Sequence, residues 1–326
     1  MIGKIAFEEH MAIAETTEET RDFAGESADF AAFTADILDL DNQRIASMDA
    51  CGIELAILSL NAPAVQAILN PEEAVALARK ANDIIYAAVQ RHPGRYAGFA
   101  ALPMQDANAA ALELERCVKE LGFKGALVNG FSQKHTADSA YYYDLPEYRE
   151  FWQTVADLDV PFYLHPRNPF FDDMPVFDGH PWLTYASWAY AMETAMHALR
   201  LMCGGLFDDH PRLQMVLGHL GERIPFDLWR VDNVLQKNPR GLPAKQTLRT
   251  YMQTNVHVST SGQFHDPPLH LAINEMGVER VMFSIDYPYE SMEQGSSWFD
   301  QAELSDADRL AIGRTNAVSL FGLKLS

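Results

Sequence analysis

Glu8 and His10 stand two apart in KIAFEEHM, where an aliphatic run gives way to acids and an imidazole. Side chains along a strand alternate between faces, so these two project together and Glu9 points away. Three further apolar runs end on a titratable residue: VPFYL on His165, LQMVLG on His219 and VMFSI on Asp286. Two imidazoles and two carboxylates form a mixed nitrogen and oxygen donor set that suits Zn²⁺, Mn²⁺ or Fe²⁺. Because no thiolate joins them, a structural zinc site is disfavoured. A histidine standing alone at a strand end is ordinarily a hydrogen-bonded structural residue. That plainer reading is kept for His92, His135, His180, His197, His210, His257, His265 and His270.

Glu222 follows His219 by three residues in HLGERIP. At the start of the next helix it would reach back to the imidazole, fixing its tautomer and raising its basicity. Stabilisation of the helix N-terminus by a nearby acid accounts for the same residue without chemistry.

The elements that carry these residues alternate. Candidate strands lie at residues 2–7, 55–60, 96–101, 125–128, 160–164, 213–217, 255–260 and 280–285, with helical stretches between them. Asn70 and Pro71 open one helix, which carries a stripe through Ala74, Leu77, Ala78, Ala81, Ile85 and Ala88. Another begins at Asp106 and stops at Gly122. About eight strand–helix units in this length predict a (β/α)₈, TIM-like barrel, in which the C-terminal ends of different strands converge on one pocket. No Gly-rich phosphate loop follows the first strand, which disfavours a dinucleotide-binding fold. No linker interrupts the pattern, so residues 1–326 are expected to form one domain. Three long loops, residues 11–40, 129–146 and 166–184, follow strands and so belong to the working face.

The charge narrows the partners. A formal charge of −20 repels phosphate backbones and anionic lipid, so neither nucleic acid nor a membrane surface is expected to bind. An anionic small molecule would need a local positive centre, which a metal supplies. Cys51, Cys117 and Cys203 show no CxxC spacing and are expected to be buried free thiols in a reducing, cytoplasmic compartment. The N-terminus does not resemble a signal peptide, and the longest apolar candidate span, residues 185–201, is broken by Glu193, His197 and Arg200.

Taken in order, Glu8-x-His10, LHP at 164–166, GHLGE at 218–222 and SIDYPYE at 284–290 resemble the decarboxylase branch of the amidohydrolase superfamily. ALVNGFSQ (126–133), LDVPFYLHPRNP (158–169), FDGHPWL (177–183) and HALRLM (197–202) are similar to its members acting on 2,6-dihydroxybenzoate, and the likeness runs on to IGRTNA at 312–317. The resemblance implies reversible decarboxylation of 2,6-dihydroxybenzoate to resorcinol with one Mn²⁺ or Zn²⁺ and no organic cofactor. By position it makes Glu8, His10, His165 and Asp286 the metal ligands and His219 with Glu222 a supporting pair. Asp286 would also protonate the ring carbon that bears the carboxylate. Phe23 and Tyr289 match aromatic substrate contacts, the second being usually Phe in such relatives. Arg230 matches an arginine that reaches the site across a subunit interface, within a homotetramer. Relatives acting on salicylate or 2,3-dihydroxybenzoate resemble the chain but carry Ala where His10 stands. Two-metal hydrolases carry a bridging lysine where this chain has Asn129, so one ion is expected. The alternatives are a related hydroxybenzoate decarboxylase, a metal-dependent lactone or amide hydrolase, and a metal-stabilised binding protein.

Overall fold

A computed structural model describes residues 1–21, 29–170 and 174–325. Among the described residues eight parallel strands build two sheets: β1 (Lys4–Met11), β2 (Ile53–Leu60), β3 (Tyr96–Gly98), β4 (Ala126–Asn129), β5 (Phe162–His165), β6 (Met215–Leu217), β7 (Val256–Ser259) and β8 (Val281–Met282). Their order is β1-β2-β3 in one sheet and β8-β7-β6-β5-β4 in the other, each neighbouring pair parallel. This is the α/β, TIM-like architecture, with one difference from an idealised barrel. The ladder does not run continuously around the ring. Two seams, β3–β4 and β8–β1, are each spanned by a single bridge, Ala100 with Ala126 and Glu9 with Tyr287.

The strands are shorter or shifted relative to the sequence expectation. β1 reaches Met11, so Glu8 and His10 lie within it rather than beyond its end. β8 is two residues long, and Asp286 stands four residues past it. Helix signals read well. Asn70 caps Pro71–Arg91 through Glu72 N, and Asp106 caps Ala107–Lys119 through the N–H groups of Asn108 and Ala109. The long loops carry structure of their own: residues 11–40 hold the helix Phe30–Leu38, and residues 129–146 hold a hairpin of Ser132–Lys134 against Thr136–Tyr141. Among the described residues no helix is long and apolar enough to cross a membrane.

Strand side chains bury in two layers. Ile5, Phe7, Leu55, Ile57, Phe99, Leu127, Val216 and Met282 fill the interior with Phe321 and Leu323 from the end of the chain. Ala6, Ala56, Leu58, Val128 and Leu164 face the helices instead. Strands buried on both faces read as continuous apolar runs, and these do. The first strand breaks its own regularity. Between Ala6 and Glu9, β1 advances three residues while β2 advances two, from Ala56 to Leu58. This extra residue is a β-bulge. Without it, the alternation that turns Ile5 and Phe7 inward would bring Glu9 to the mouth in place of Glu8 and His10.

Candidate metal centre

The bulge, the end of β5 and the segment after β8 bring Glu8, His10, His165 and Asp286 together, one ligand atom from each lying within 4.8 Å of all the others. His10 Nε2 is 3.1 Å from Asp286 Oδ1, and His165 Nε2 is 3.5 Å from Glu8 Oε1. Atoms bound about 2 Å from one ion stand roughly 3–3.5 Å apart, so the spacing fits a shared cation. The hydrogen bonding fits it too. Glu8 Oε1, His10 Nε2 and Asp286 Oδ1 are buried without a hydrogen-bond partner among the described residues. Leaving such groups unmatched costs about 1–3 kcal/mol each, more for charged ones, and a divalent ion removes that cost.

Neighbouring strands orient the donors. Register pairs Asn129 with His165 and Ser59 with His10. Asn129 Nδ2 donates to the Asn61 carbonyl, so its Oδ1 faces His165 Nδ1 at 2.8 Å as an acceptor. His165 therefore carries its proton on Nδ1 and turns the Nε2 lone pair into the site. Ser59 Oγ stands 3.1 Å from His10 Nδ1 in the equivalent position. Ser259 Oγ donates to Glu8 Oε2 at 2.6 Å and contacts Tyr163 and Ser261 behind it. Gly218 is needed for space: a Cβ there would lie 2.9 Å from Glu8 Oε1 and 3.1 Å from the Tyr163 hydroxyl.

His219 completes the cluster without joining the four. Its Nε2 is 3.5 Å from Asp286 Oδ2 and 3.8 Å from Glu8 Oε1, and its Nδ1 is 2.7 Å from Glu222 Oε1. The pair arises from backbone geometry the sequence does not announce. Glu222 does not start the following helix, which is Ile224–Lys237. Instead His219, Leu220, Gly221, Glu222 and Arg223 all have positive φ, between 51° and 86°, and wind one left-handed turn. That turn folds the buried Glu222 carboxylate back onto the imidazole.

Electrostatics separate the groups. Burial works to lower the His219 imidazole, but the carboxylates of Glu222 and Glu8 outweigh it and raise it well above its ordinary value. Burial likewise works to raise Asp286, yet the imidazoles of His10 and His219 close beside it hold it below the usual carboxylate range. Burial raises Glu8 and lowers His165. The Asp286 side chain keeps 14% exposure and that of His219 23%, against 0% for Glu8 and His10, so a ligand must approach from the Asp286–His219 side. Asp286 itself has φ 83°, a strained conformation of the kind that clusters at working sites.

The remaining candidates are spread more widely. The Tyr289 ring lies 5.6 Å from that of His10, and its hydroxyl is buried with no partner among the described residues. Phe23 lies outside the described residues. Arg230 is exposed on Ile224–Lys237, beside Trp229 at 67% exposure and near Phe226 at 77%. Sequence reading passed over Ser59, Ser259 and Ser284, and read Asn129 only as the absence of a lysine. Glu9 is fully buried, and burial pushes its carboxyl up to about 8. Of the cysteines, Cys117 is buried while Cys51 and Cys203 are half-buried, a correction to the expectation for all three, and each is a free thiol.

Known proteins resemble this chain over nearly its whole length. The amidohydrolase family matches residues 44–323. The chain is 53% identical over 328 residues to the gamma-resorcylate decarboxylase of Rhodococcus jostii (strain RHA1), covering 99% of each. It is similar to a crystal structure of 2,6-dihydroxybenzoate decarboxylase complexed with 2,6-dihydroxybenzoate, with a TM-score of 0.96 and 50% identity, covering 99% of this chain and 100% of that one. It is equally similar, at a TM-score of 0.96 and 49% identity, to the dihydroxybenzoic acid decarboxylase of Polaromonas sp. JS666 with bound manganese and the inhibitor 2-nitroresorcinol, covering 99% of this chain and 97% of that one.

Proposed function

This chain belongs to the amidohydrolase family, among its gamma-resorcylate decarboxylases, and on that premise we propose how its residues carry out a reversible, non-oxidative decarboxylation. It is a carboxy-lyase that converts 2,6-dihydroxybenzoate to resorcinol and CO₂. Glu8, His10, His165 and Asp286 hold one divalent ion, and the observation that carries this is the convergence of their unpaired donor atoms. We assign that ion as Mn²⁺ or Zn²⁺, manganese being the one bound in the Polaromonas relative. Once bound, the ion would supply positive charge to offset that of the anionic substrate.

Direct loss of CO₂ would leave an electron pair in the ring plane, where the π system cannot share it. Ortho phenols make the carboxyl-bearing carbon nucleophilic, so it takes a proton first. Asp286 delivers that proton; the carbon–carboxyl bond then breaks, its electron pair restores the aromatic ring, and CO₂ leaves. Asp286 is held in its ionised form, so it needs a proton source. His219, whose Nε2 lies 3.5 Å from Asp286 Oδ2 and whose imidazole the Glu222 and Glu8 carboxylates push upward, is that source. By resemblance Tyr289 and Phe23 are assigned as aromatic substrate contacts, and Arg230 reaches the site of a second copy in a homo-oligomer, a tetramer. The exposed Phe226 and Trp229 around Arg230 support such a contact. Free thiols suit a cytoplasmic setting, and residues 1–326 work as one domain.

The position of solvent hydrogen in the product tests this route. In D₂O, resorcinol is expected to carry deuterium between its hydroxyls, one atom per turnover at early times, alongside CO₂ release. A lactone or amide hydrolase would place solvent oxygen in its product instead. Unlabelled resorcinol, or label only at other ring carbons, rules out Asp286 as the acid. The supporting pair has its own test. Glu222→Gln is expected to depress turnover about 10- to 100-fold with metal content intact. Normal turnover with only a lower melting temperature would make Glu222 a structural residue.

A further inference from the structure

Three of the four proposed metal ligands, Glu8, His10 and Asp286, come from the β8–β1 seam, where the ladder is reduced to one bridge. Two backbone hydrogen bonds cross it: His10 N to the Tyr287 carbonyl at 2.8 Å and Asp286 N to the Glu8 carbonyl at 2.9 Å. The rest of the joint is made by side chains. Ser284 Oγ accepts from both N–H groups at the bulge, Phe7 N at 2.9 Å and Glu8 N at 2.7 Å. The same hydroxyl donates to Glu9 Oε1 at 3.0 Å. Glu9 Oε1 also accepts from Ile285 N at 3.1 Å, one residue before Asp286. Behind the seam, buried Arg44 donates to the His10 carbonyl at 2.6 Å.

We infer that Glu9 and Ser284 are positioning residues: together they lock the β1 bulge and the Asp286 segment into the one relative placement that aims three ligands at a common point. The inference rests on the metal reading above. A bulge leaves two successive N–H groups facing one way, and the ladder has no single carbonyl to take both. The Ser284 hydroxyl takes both, and its own proton is then directed to Glu9. Glu9 in turn fixes the backbone at Ile285. The clamp works through one carboxyl oxygen that accepts two hydrogen bonds, so an amide oxygen can replace it. Glu9 Oε2 makes no hydrogen bond, so an NH₂ group there displaces none.

The test measures Mn²⁺ affinity and the electron paramagnetic resonance spectrum of the bound ion in the full-length protein, well below the melting temperature. Glu9→Leu and Ser284→Ala are expected to weaken Mn²⁺ binding about 10- to 100-fold and alter the spectrum. Glu9→Gln is expected to restore wild-type affinity and spectrum. A residue that merely stabilises the fold would lower the melting temperature and leave the folded protein's affinity and spectrum unchanged. That result for Glu9→Leu or Ser284→Ala overturns the inference, as does loss of binding in Glu9→Gln. If Glu9→Leu does not fold, Ser284→Ala decides. Failure of the metal reading looks different: wild-type protein would then bind Mn²⁺ no better than His165→Ala.

Discussion

Replacing Asp286 by asparagine is expected to lower turnover by about 10³-fold or more, the scale of losing a positioned general acid. Asparagine keeps the shape and one donor oxygen but cannot hold a proton at neutral pH. His165→Ala should fail for a different reason. It removes a donor whose tautomer Asn129 has fixed, and leaves Glu8 Oε1 facing a gap. Steady-state rates and elemental analysis on the same samples separate the two. Asp286→Asn should lose more activity than metal, whereas His165→Ala should lose both together. A strong chelator should abolish activity in the wild type, and readdition of Mn²⁺ or Zn²⁺ should restore it. Full activity in metal-free protein would remove the site assignment.

What could be read in the sequence and what could not divide along a physical line. The five side chains Glu8, His10, His165, His219 and Asp286 were legible because each ends, or nearly ends, an apolar run, and barrel strand ends converge. Period-2 geometry placed Glu8 and His10 together. The mouth was read as their side, with Glu9 turned away, but not the bulge that sets this parity, since a bulge depends on the neighbouring strand's register. Ser59 and Asn129 are invisible for the same reason: their roles exist only once His10 pairs with Ser59 and His165 with Asn129. The spacing of His219 and Glu222 suggested their contact. The suggested helix start was wrong because dihedral signs over five residues leave only one glycine as a trace. The fold class was legible from alternation, whereas the two seams were not, because a missing ladder bond changes no residue type.

The second large effect concerns the substrate. The kcat/KM for 2,6-dihydroxybenzoate is expected to exceed that for salicylate by up to ~10⁴-fold. The two acids differ by one ortho hydroxyl. A site that merely enclosed the ring would distinguish them weakly, because a missing polar group leaves only a small void. A site with buried polar atoms awaiting that hydroxyl rejects its absence strongly, since those atoms stay desolvated and unpaired. The Tyr289 hydroxyl is such an atom, buried next to the His10 ring without a partner among the described residues. Tyr289→Phe should therefore narrow the ratio, chiefly by lowering the rate with 2,6-dihydroxybenzoate. Benzoate, with no ortho oxygen, should not react. Equal rates for the first two acids, or turnover of benzoate, would contradict recognition through the phenols.

The left-handed turn at His219, Leu220, Gly221, Glu222 and Arg223 bears on how this enzyme can change over evolution or in a mutant library. Each non-glycine residue in that conformation costs roughly 1–2 kcal/mol against its right-handed alternative, and β-branched residues are the least tolerated there. Selection for thermal robustness would favour glycine or asparagine along the whole turn. At His219 and Glu222 such a gain would delete the very groups the turn brings together. At Gly221 the relaxed choice is already made, and a Cβ would crowd Pro225 and Val258 at 3.0–3.1 Å. Robustness and chemistry are thus opposed within a single turn of chain, and tolerated stabilising substitutions should accumulate in the capped outer helices, where backbone preference and catalysis make no competing demands.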